Sequence, residues 1–384
     1  MNSILYLVFC RFKSRKFQNT ISFLVVSLCV SVLIIALSLS NGFEKTLIDK
    51  LIVASPHVTM IGDYNNLKIP QKDLISNDIN IAQVQSLSIN PDNNQVQGVL
   101  LRGTYPDKIP DLFGGKDILE LGKFPVSGEA IIGNKLAETC NLSVGDTVKI
   151  LTGPAVSTEF KVSGIFKVGL YDFDSNVIIA PYKDIEYLTP EEGEGIAADV
   201  NTFRALWLKK PMESKLFAEK ISALNPGIIT SNWQDDNKSL IDAIAVEKKV
   251  IFIVLLLLVV AASVAIANSQ FIQIVSQQEQ IAILSSIGFT SRHVLFTFVL
   301  EGLLIALIGS VLGLLIALGV VAYIANFPLN LPMDVYQVES IPVELKYSDV
   351  VITSLCAIVM VCLSSIVPAY YASRLDPVEV LRRA

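Results

Sequence analysis

Glu301 is the residue whose type and position could most directly carry chemistry, because it is the only acidic or basic residue inside a long apolar run. An ionisable group in a membrane span marks an ion, proton or substrate pathway by default. Two other interpretations stay open, since Glu301 lies about two helical turns into its run. It could reach the cytoplasmic interface, or it could pair with Arg292 or His293.

Recognisable catalytic motifs are missing from the sequence. A nucleotide-binding loop requires G-x-x-x-x-G-K-[ST], and the Gly-Lys pairs at Lys116 and Lys123 lack the first glycine of that motif. The two histidines, His57 and His293, fall on opposite sides of the membrane in the topology predicted below, which argues against a histidine-based zinc site or catalytic dyad. We therefore predict no catalytic residue, no metal site and no cofactor bound by this chain.

Composition indicates a membrane protein. The 384 residues are 52% hydrophobic and 17% charged, with a mean hydropathy of +0.54, whereas soluble domains carry about 25% charged residues. The net charge of −6 argues against a nucleic-acid partner. Four apolar runs are long enough to cross a bilayer as helices, which requires about 20 residues.

Basic residues set the predicted orientation. The segment before the first run contains Arg11, Lys13, Arg15 and Lys16 without an acid, so we expect a cytoplasmic N-terminus. That run is too long for the core of a cleaved signal peptide and no cleavage site follows it. The fold class is therefore an α-helical membrane protein with four transmembrane helices and a large α/β extracytoplasmic domain inserted between helices one and two. The predicted segments are a cytoplasmic amphipathic segment (1–19), helix one (20–41), the external domain (42–249), helix two (250–269), a cytoplasmic loop (270–293), helix three (294–325), an external loop (326–349), helix four (350–369) and a cytoplasmic tail (370–384).

Period-2 alternation and turn residues predict the secondary structure of the external domain. Strands are expected over 147–150, 159–163, 130–132, 177–180 and 204–208, and helices over 134–140 and 212–224. The sequence from Ser239 to about Ser276 has no proline or glycine, which predicts one helix that is longer than a bilayer. Helix one has a similar polar continuation beyond Gly42. The two could transmit motion as stiff rods or serve only as anchoring stems.

The apolar runs and the inner loop carry the remaining predictions. A cavity between spans one and two would be lined by apolar side chains and would suit acyl chains. The same apolar residues could equally face lipid or neighbouring helices. The predicted lining of the cavity is Leu33, Ile34, Leu37, Phe43, Ile253, Leu257 and Val260. The inner loop is expected to form two short helices joined at Gly288, with Ser291 as the cap of the second, or else a simple solvated connection. Gly309-x-x-x-Gly313 would permit close helix packing.

Several motifs resemble known families. The segment Glu279-Gln-Ile-Ala-Ile-Leu-Ser-Ser-Ile-Gly-Phe-Thr-Ser-Arg-His293 resembles the loop between spans two and three of FtsX/MacB-type ABC permeases, and 298–309 and 368–381 resemble their third span and tail. More narrowly, similarity to the lipoprotein-releasing LolC/LolE (LolF-like) family is carried by Ser40-Asn-Gly-Phe-Glu44, Ser55-Pro-His-Val58, Tyr171-Asp-Phe-Asp-Ser-Asn176, Asp334-Val-Tyr336 and Ile341-Pro-Val-Glu-Leu345.

The resemblance implies a MacB-like permease fold, a bacterial inner-membrane location and a set of partners. These are a cytoplasmic LolD-like ATPase dimer that binds ATP and Mg, a second permease copy or paralogue, membrane lipid, a lipoprotein substrate and a LolA-like periplasmic carrier. It also implies that the inner loop couples to the ATPase, through Glu279, Leu284, Gly288, Phe289, Ser291, Arg292 and His293. The family's carrier-docking hook corresponds here to a short segment (151–158), with Pro154 as the candidate tip.

Two other functions fit the same resemblance. One is an FtsX-like transmembrane signalling protein that activates a periplasmic wall hydrolase. The other is a MacB-like efflux permease.

Overall fold

The structure divides into two compact units. The computed structural model describes residues 16–64, 67–91, 95–115, 118–152, 156–186, 200–327, 340–374 and 380. The helical unit comprises Met1–Glu44, Ile244–Leu329 and Ile341–Ala384, and the sheet unit comprises Lys45–Ala243 and Asn330–Ser340. Predicted site residue Pro154 and the motif 334–336 lie outside the described residues.

The four apolar helices predicted from the sequence are present. They are α1 (Lys16–Ala54), α7 (Lys238–Val275), α9 (Ser291–Asn326) and α10 (Tyr347–Ser373). Each is long and apolar enough to cross a membrane, by length and composition. With 39 and 38 residues, α1 and α7 reach about 58 and 57 Å at 1.5 Å per residue, against a hydrocarbon core of about 30 Å. Gly42 does not interrupt α1.

Small residues bring the helices of the helical unit together. A Cβ atom added to Gly309 of α9 would lie 2.6 Å from the Cβ of Val26 in α1, and one added to Gly313 would lie 2.6 Å from the carbonyl oxygen of Ser27. The predicted close approach at this glycine pair is therefore confirmed. The buried core around it is Val26, Val30, Ile34, Ile266, Ile305, Ala306, Ala317, Ala357 and Val361.

The sheet unit contains ten strands among its described residues. They are β1 (Val58–Ile61), β2 (Ile75–Ile89), β3 (Val96–Thr104), β4 (Leu119–Gly122), β5 (Glu129–Gly133), β6 (Thr147–Thr152), β7 (Val156–Phe166), β8 (Val177–Pro181), β9 (Asn201–Leu208) and β10 (Ile229–Asn232). Their order is β10-β1-β9-β2-β3-β8-β5-β7-β4, and β6 pairs with both β2 and β7. Strands β2, β3, β8, β5, β7 and β6 thus form a closed ring, which leaves no free edge among them.

Short helices complete this unit. They are α2 (Asn134–Cys140), α3 (Tyr171–Asn176), α4 (Tyr182–Glu186), α5 (Ser214–Leu224) and α6 (Trp233–Asp236), with 3₁₀ turns at Lys72–Leu74, Pro106–Lys108, Pro110–Phe113 and Pro211–Glu213. The predicted strands and both predicted helices of this region are confirmed. Val148 lies opposite Phe160 in the β6–β7 pair, and both are buried, as the alternating pattern requires. Strand β2 pairs with β9 through its first half and with β3 through its second half, so one continuous sheet runs through the whole unit.

Candidate functional site

The inner loop contains a short helix, one face of which packs against the long helices of the helical unit. Helix α8 (Gln278–Ser286) buries Ile281 against Ile274 and Phe298. Ala282 is buried as well, whereas Ile283 is 50% exposed and Ile287, directly after the helix, is 78% exposed. Ile281, Leu284 and Ile287 recur about one helical turn apart, and the structure divides them between a buried anchor, Ile281, and an exposed end, Ile287. Such a rigid, partly apolar projection is suited to seating in a groove of a partner protein.

The start of α9 is built differently from the prediction. Thr290, not Ser291, is the N-cap, and it forms a reciprocal capping box with His293. The Oγ1 of Thr290 lies 2.9 Å from Nδ1 of His293, and the Phe289 ring packs edge-on against the imidazole with centroids 5.5 Å apart. Gly288 has φ +108°, a left-handed conformation that favours glycine. These contacts hold the turn between α8 and α9.

The remaining predicted coupling residues lie on the surface or near it. Glu279, Ser291 and Arg292 are exposed, and Leu284 is half-buried. The structure thus places all seven residues on one loop. Their role in coupling to an ATPase stays a prediction.

The predicted acyl-chain residues separate into two groups. Ile253, Leu257 and Val260 are exposed on α7, with Leu257 63% exposed. Leu37 and Phe43 of α1 are half-buried.

The other two predicted lining residues point inwards. Ile34 is buried in the core between α1, α9 and α10, and Leu33 is buried against Leu255. Among the predicted lining residues, the exposed apolar surface therefore lies on α7 rather than on the Ile34 side of α1.

Glu301 lies inside the helical unit and is 2% exposed, whereas Arg292 and His293 are exposed. Its side chain does not reach out to an interface, as one of the sequence-based alternatives required. The neighbouring residue, Gly302, faces other polar groups: a Cβ atom added there would lie 2.2 Å from Oγ of Ser365 and 2.9 Å from Nε2 of Gln270. Polar side chains from α7, α9 and α10 therefore meet at this level of the bundle.

A close backbone approach brings two of the family motifs together. Within the helical unit, a Cβ atom added to Gly42 of α1 would lie 2.4 Å from the carbonyl oxygen of Pro342. The backbone N–H of Glu344 donates a 3.0 Å hydrogen bond to the carbonyl oxygen of Ser38. The segment 341–345 thus packs against α1, and a residue larger than glycine at position 42 would force the two backbones apart.

A polar junction of five residues surrounds this crossing. Glu44 of α1 forms a short ion pair with Lys248 of α7, and Nζ of Lys346 lies 4.0 Å from the same carboxylate. Asn41 donates to a carboxylate oxygen of Asp349 at 2.6 Å and accepts from Lys346 at 3.2 Å. The sequence analysis missed this junction. The signal for it was the polar character of Asn41 and Glu44 directly beyond an apolar run.

Residues of two further family motifs, 55–58 and 171–176, form buried hydrogen bonds that connect elements of the sheet unit. The buried His57 accepts a 2.7 Å hydrogen bond from the N–H of Leu208 through Nδ1, so that Nε2 carries the proton and donates to the carbonyl oxygen of Ile52 at 3.2 Å. Burial lowers the pKa of His57, which keeps the ring neutral. The imidazole therefore ties the end of α1 to β9.

The buried Asp174 of α3 has a comparable role. Its two carboxylate oxygens accept the N–H groups of Val168 and Gly169, each at 2.8 Å. Burial raises the pKa of Asp174 to about 6, and the nearby Lys50 opposes this shift. The Nζ of Lys50 also donates to the Gly169 carbonyl at 2.5 Å.

No group of three or more His, Cys, Asp or Glu side chains that could hold a metal ion occurs within the described part of the chain. The candidate functional elements described above are the loop 270–293, the exposed α7 face and the polar junction.

Two family matches cover most of the chain. Residues 20–216 match the family described as MacB-like periplasmic core domain, and residues 251–377 match FtsX-like permease C-terminal.

Curated relatives are similar over nearly their full length. The lipoprotein-releasing system transmembrane protein LolC of Xylella fastidiosa (strain 9a5c) is 26% identical over 404 aligned positions, which cover 95% of this chain and 94% of that protein. The transmembrane protein LolE of the corresponding system in Haemophilus influenzae (strain ATCC 51907 / DSM 11121 / KW20 / Rd) is 24% identical and covers 93% and 92%. Among solved structures, the extracellular domain of the noncanonic ABC-type transporter YknZ from Gram-positive bacteria covers 42% of this chain and 84% of that domain, with 13% identity and a TM-score of 0.28.

Proposed function

The chain belongs to the family of permeases with a MacB-like periplasmic core domain and an FtsX-like C-terminal domain, and from this membership we propose that it extracts lipoproteins from a bacterial inner membrane. In this proposal it is a non-catalytic subunit of an ATP-driven transporter. A cytoplasmic ATPase dimer supplies the energy, a second permease copy or paralogue completes the membrane part, and a periplasmic carrier accepts the lipoprotein. The termini and loop 270–293 are cytoplasmic, and the sheet unit is periplasmic.

The observation that carries this proposal is similarity over more than 90% of the chain to transmembrane proteins of lipoprotein-releasing systems. The similarity includes both the apolar helices and the sheet unit. It therefore supports the shared function better than a match to one domain would.

The exposed face of α7 supports the proposal physically. Ile253, Leu257 and Val260 present an apolar surface without a charged group, which can hold acyl chains but not a polar solute. Transfer of acyl chains out of a bilayer costs about 0.8 kcal/mol per CH₂, or on the order of tens of kcal/mol for three chains. Such a step requires an external energy source, and the projecting loop 270–293 offers a place where an ATPase can push.

The proposal is tested by ATP-dependent release. The chain is reconstituted in proteoliposomes with its ATPase, any partner permease and a triacylated lipoprotein, and transfer to a periplasmic carrier is measured. Leu257→Asp should abolish release. Leu315→Asp is the matched control, because Leu315 of α9 is 60% exposed and an aspartate there costs the same to place in lipid.

Three outcomes would contradict the proposal. If both variants release lipoprotein normally, α7 does not hold the acyl chains. If the wild type releases none but activates a wall hydrolase, the chain is a signalling protein. If it exports small molecules or peptides instead, it is an efflux permease.

A further inference from the structure

A cavity of about 620 Å³ lies within the sheet unit, in the size range of small-molecule sites. Its wall is largely apolar and includes the buried residues Leu51, Ala54 and Leu170 and the ring of Phe173. The last turn of α1 and the first residues of α7 both contribute to it, through Leu51 and Leu240. A ligand in this cavity would therefore touch both long helices.

Among the described residues that line the cavity, Arg102 of β3 is the one cation. Its Nε donates to Oε1 of Gln83 at 2.9 Å, and its guanidinium lies 5.1 Å from the centre of the Phe173 ring. No carboxylate among the described residues lies within ion-pair distance of it. Burial lowers the pKa of Arg102 to about 10. A desolvated guanidinium with open N–H donors in a cleft is typical of a site for a phosphate or carboxylate.

The second arginine in the described part of the sheet unit shows how different this arrangement is. Arg204 donates to both carboxylate oxygens of Asp78, at 2.7 and 2.6 Å, and lies 6.0 Å from the Tyr64 ring centre. Arg204 is therefore saturated by its own chain. Arg102 also lies beside an aromatic ring, but no carboxylate among the described residues pairs with it. Its two terminal nitrogens therefore remain available to donate to a ligand.

Two carboxylates, Asp172 and Asp236, also line the cavity, and both are exposed at its mouth. A purely anionic ligand would meet their repulsion. A ligand that carries a cation next to its anion would instead be complementary to both charges, since a carboxylate can accept several N–H donors.

We propose that this cavity binds a zwitterionic amphiphile, with its phosphate on Arg102, its ammonium group at Asp172 and Asp236, and its alkyl chain against Leu51, Ala54 and Leu170. The proposed ligand class therefore comprises amphiphiles that carry both a phosphate and a primary amine on a headgroup attached to one alkyl chain. The occupancy of this cavity can be measured without an ATPase or a lipoprotein.

Tryptophan fluorescence tests the proposal directly. The chain has two tryptophans, and Trp233 packs with Leu51, Ala54 and Leu170. Trp207→Phe leaves Trp233 as the single emitter and removes a buried indole N–H that has no hydrogen-bond partner, so we expect it to be tolerated. The full-length chain in phosphatidylcholine nanodiscs is titrated with lysophosphatidylethanolamine that carries a brominated acyl chain, a short-range quencher.

We expect saturable quenching of Trp233 that is reversed by unbrominated ligand. Lysophosphatidic acid, which lacks the amine, and an alkylamine, which lacks the phosphate, should each bind at least tenfold more weakly, and free phosphoethanolamine should compete only at far higher concentration. Arg102→Met should weaken binding at least tenfold and Arg102→Lys by less, whereas Lys183→Met, an exposed cation outside the cavity, should have no effect.

The proposal is overturned by quenching that does not saturate, by equal quenching with all three amphiphiles, or by unchanged binding in Arg102→Met. The comparison of amphiphiles uses the chain with Arg102 intact. This comparison therefore tests the proposed ligand class even if Arg102→Met fails to fold.

Discussion

Replacement of Gly42 by alanine probes the crossing between α1 and the segment 341–345. The new Cβ atom would lie 2.4 Å from the Pro342 carbonyl oxygen, while ordinary contacts begin at 3.4 Å, so the two backbones must separate by about 1 Å. That shift lengthens the hydrogen bond between Glu344 and Ser38, which is 3.0 Å in the structure. The contact of Lys346 with the polar junction is disturbed as well.

The expected change in stability is the sum of two unfavourable terms and one favourable term. Overpacking at a tight contact costs about 1–3 kcal/mol, and a weakened hydrogen bond costs about 0.5–1.5 kcal/mol. Alanine in place of glycine within a helix recovers about 1 kcal/mol. We therefore expect Gly42→Ala to destabilise the helical unit by about 0.5–3.5 kcal/mol.

Gly319→Ala is the matched control. Gly319 also lies inside a long helix, α9, but nothing lies within 4 Å of its added Cβ atom, so this variant should be neutral or stabilising. Stability is measured by denaturant unfolding in detergent, and amide hydrogen exchange at Glu344 reports on the crossing itself. If Gly42→Ala matches Gly319→Ala in stability and Glu344 stays equally protected, the close approach of these segments is wrong.

Three further predictions concern single contacts. Thr290→Ala should lower the free energy of unfolding by about 0.5–2 kcal/mol and speed hydrogen exchange in the first turn of α9. Ser291→Ala should change neither quantity appreciably, because Ser291 is not the N-cap. Equal effects of the two substitutions would contradict the capping box. For Asp174, the folded-state pKa of about 6 lies above the ordinary aspartate pKa of 3.8, so the folded state binds the proton more tightly. Stability should therefore fall as pH rises from about 4 to about 6, and then level off. Asp174→Asn should remove this slope in pH-dependent unfolding, and an unchanged slope would assign it to other groups. Glu44→Gln should weaken the polar junction by about 0.2–1 kcal/mol. Glu44→Lys should cost more, because it places a third ammonium group beside Lys248 and Lys346. Adding Lys248→Glu should recover only part of that loss, since Lys346 still faces the new cation, and no recovery at all would contradict a direct ion pair.

The sequence by itself determined the elements whose signal is local. The four apolar helices follow from run length, and the strands at 147–150 and 159–163 follow from alternation, because one face of each is buried. The positions of Gly288 and of the Gly309/Gly313 pair were also predictable, since turns and close helix contacts favour glycine.

The tertiary structure alone decided which apolar residues face inwards. Ile34 and Ile253 are equally apolar, yet Ile34 is buried in the bundle core and Ile253 is exposed. A residue that faces lipid and one that faces another helix have the same hydrophobicity, so composition cannot distinguish them. The distinction comes from which helices pack together.

The sequence signals the polar character of Asn41 and Glu44, but it could not identify their partners in the polar junction, for a related reason. Lys248 is 204 residues from Glu44, and Asp349 is 308 residues from Asn41. No local pattern links groups so far apart, because their meeting depends on the packing of three separate helices around the glycine at position 42. Local sequence periodicity therefore specifies the helices and strands of this protein. Long-range packing decides which of their faces are buried and which polar groups meet.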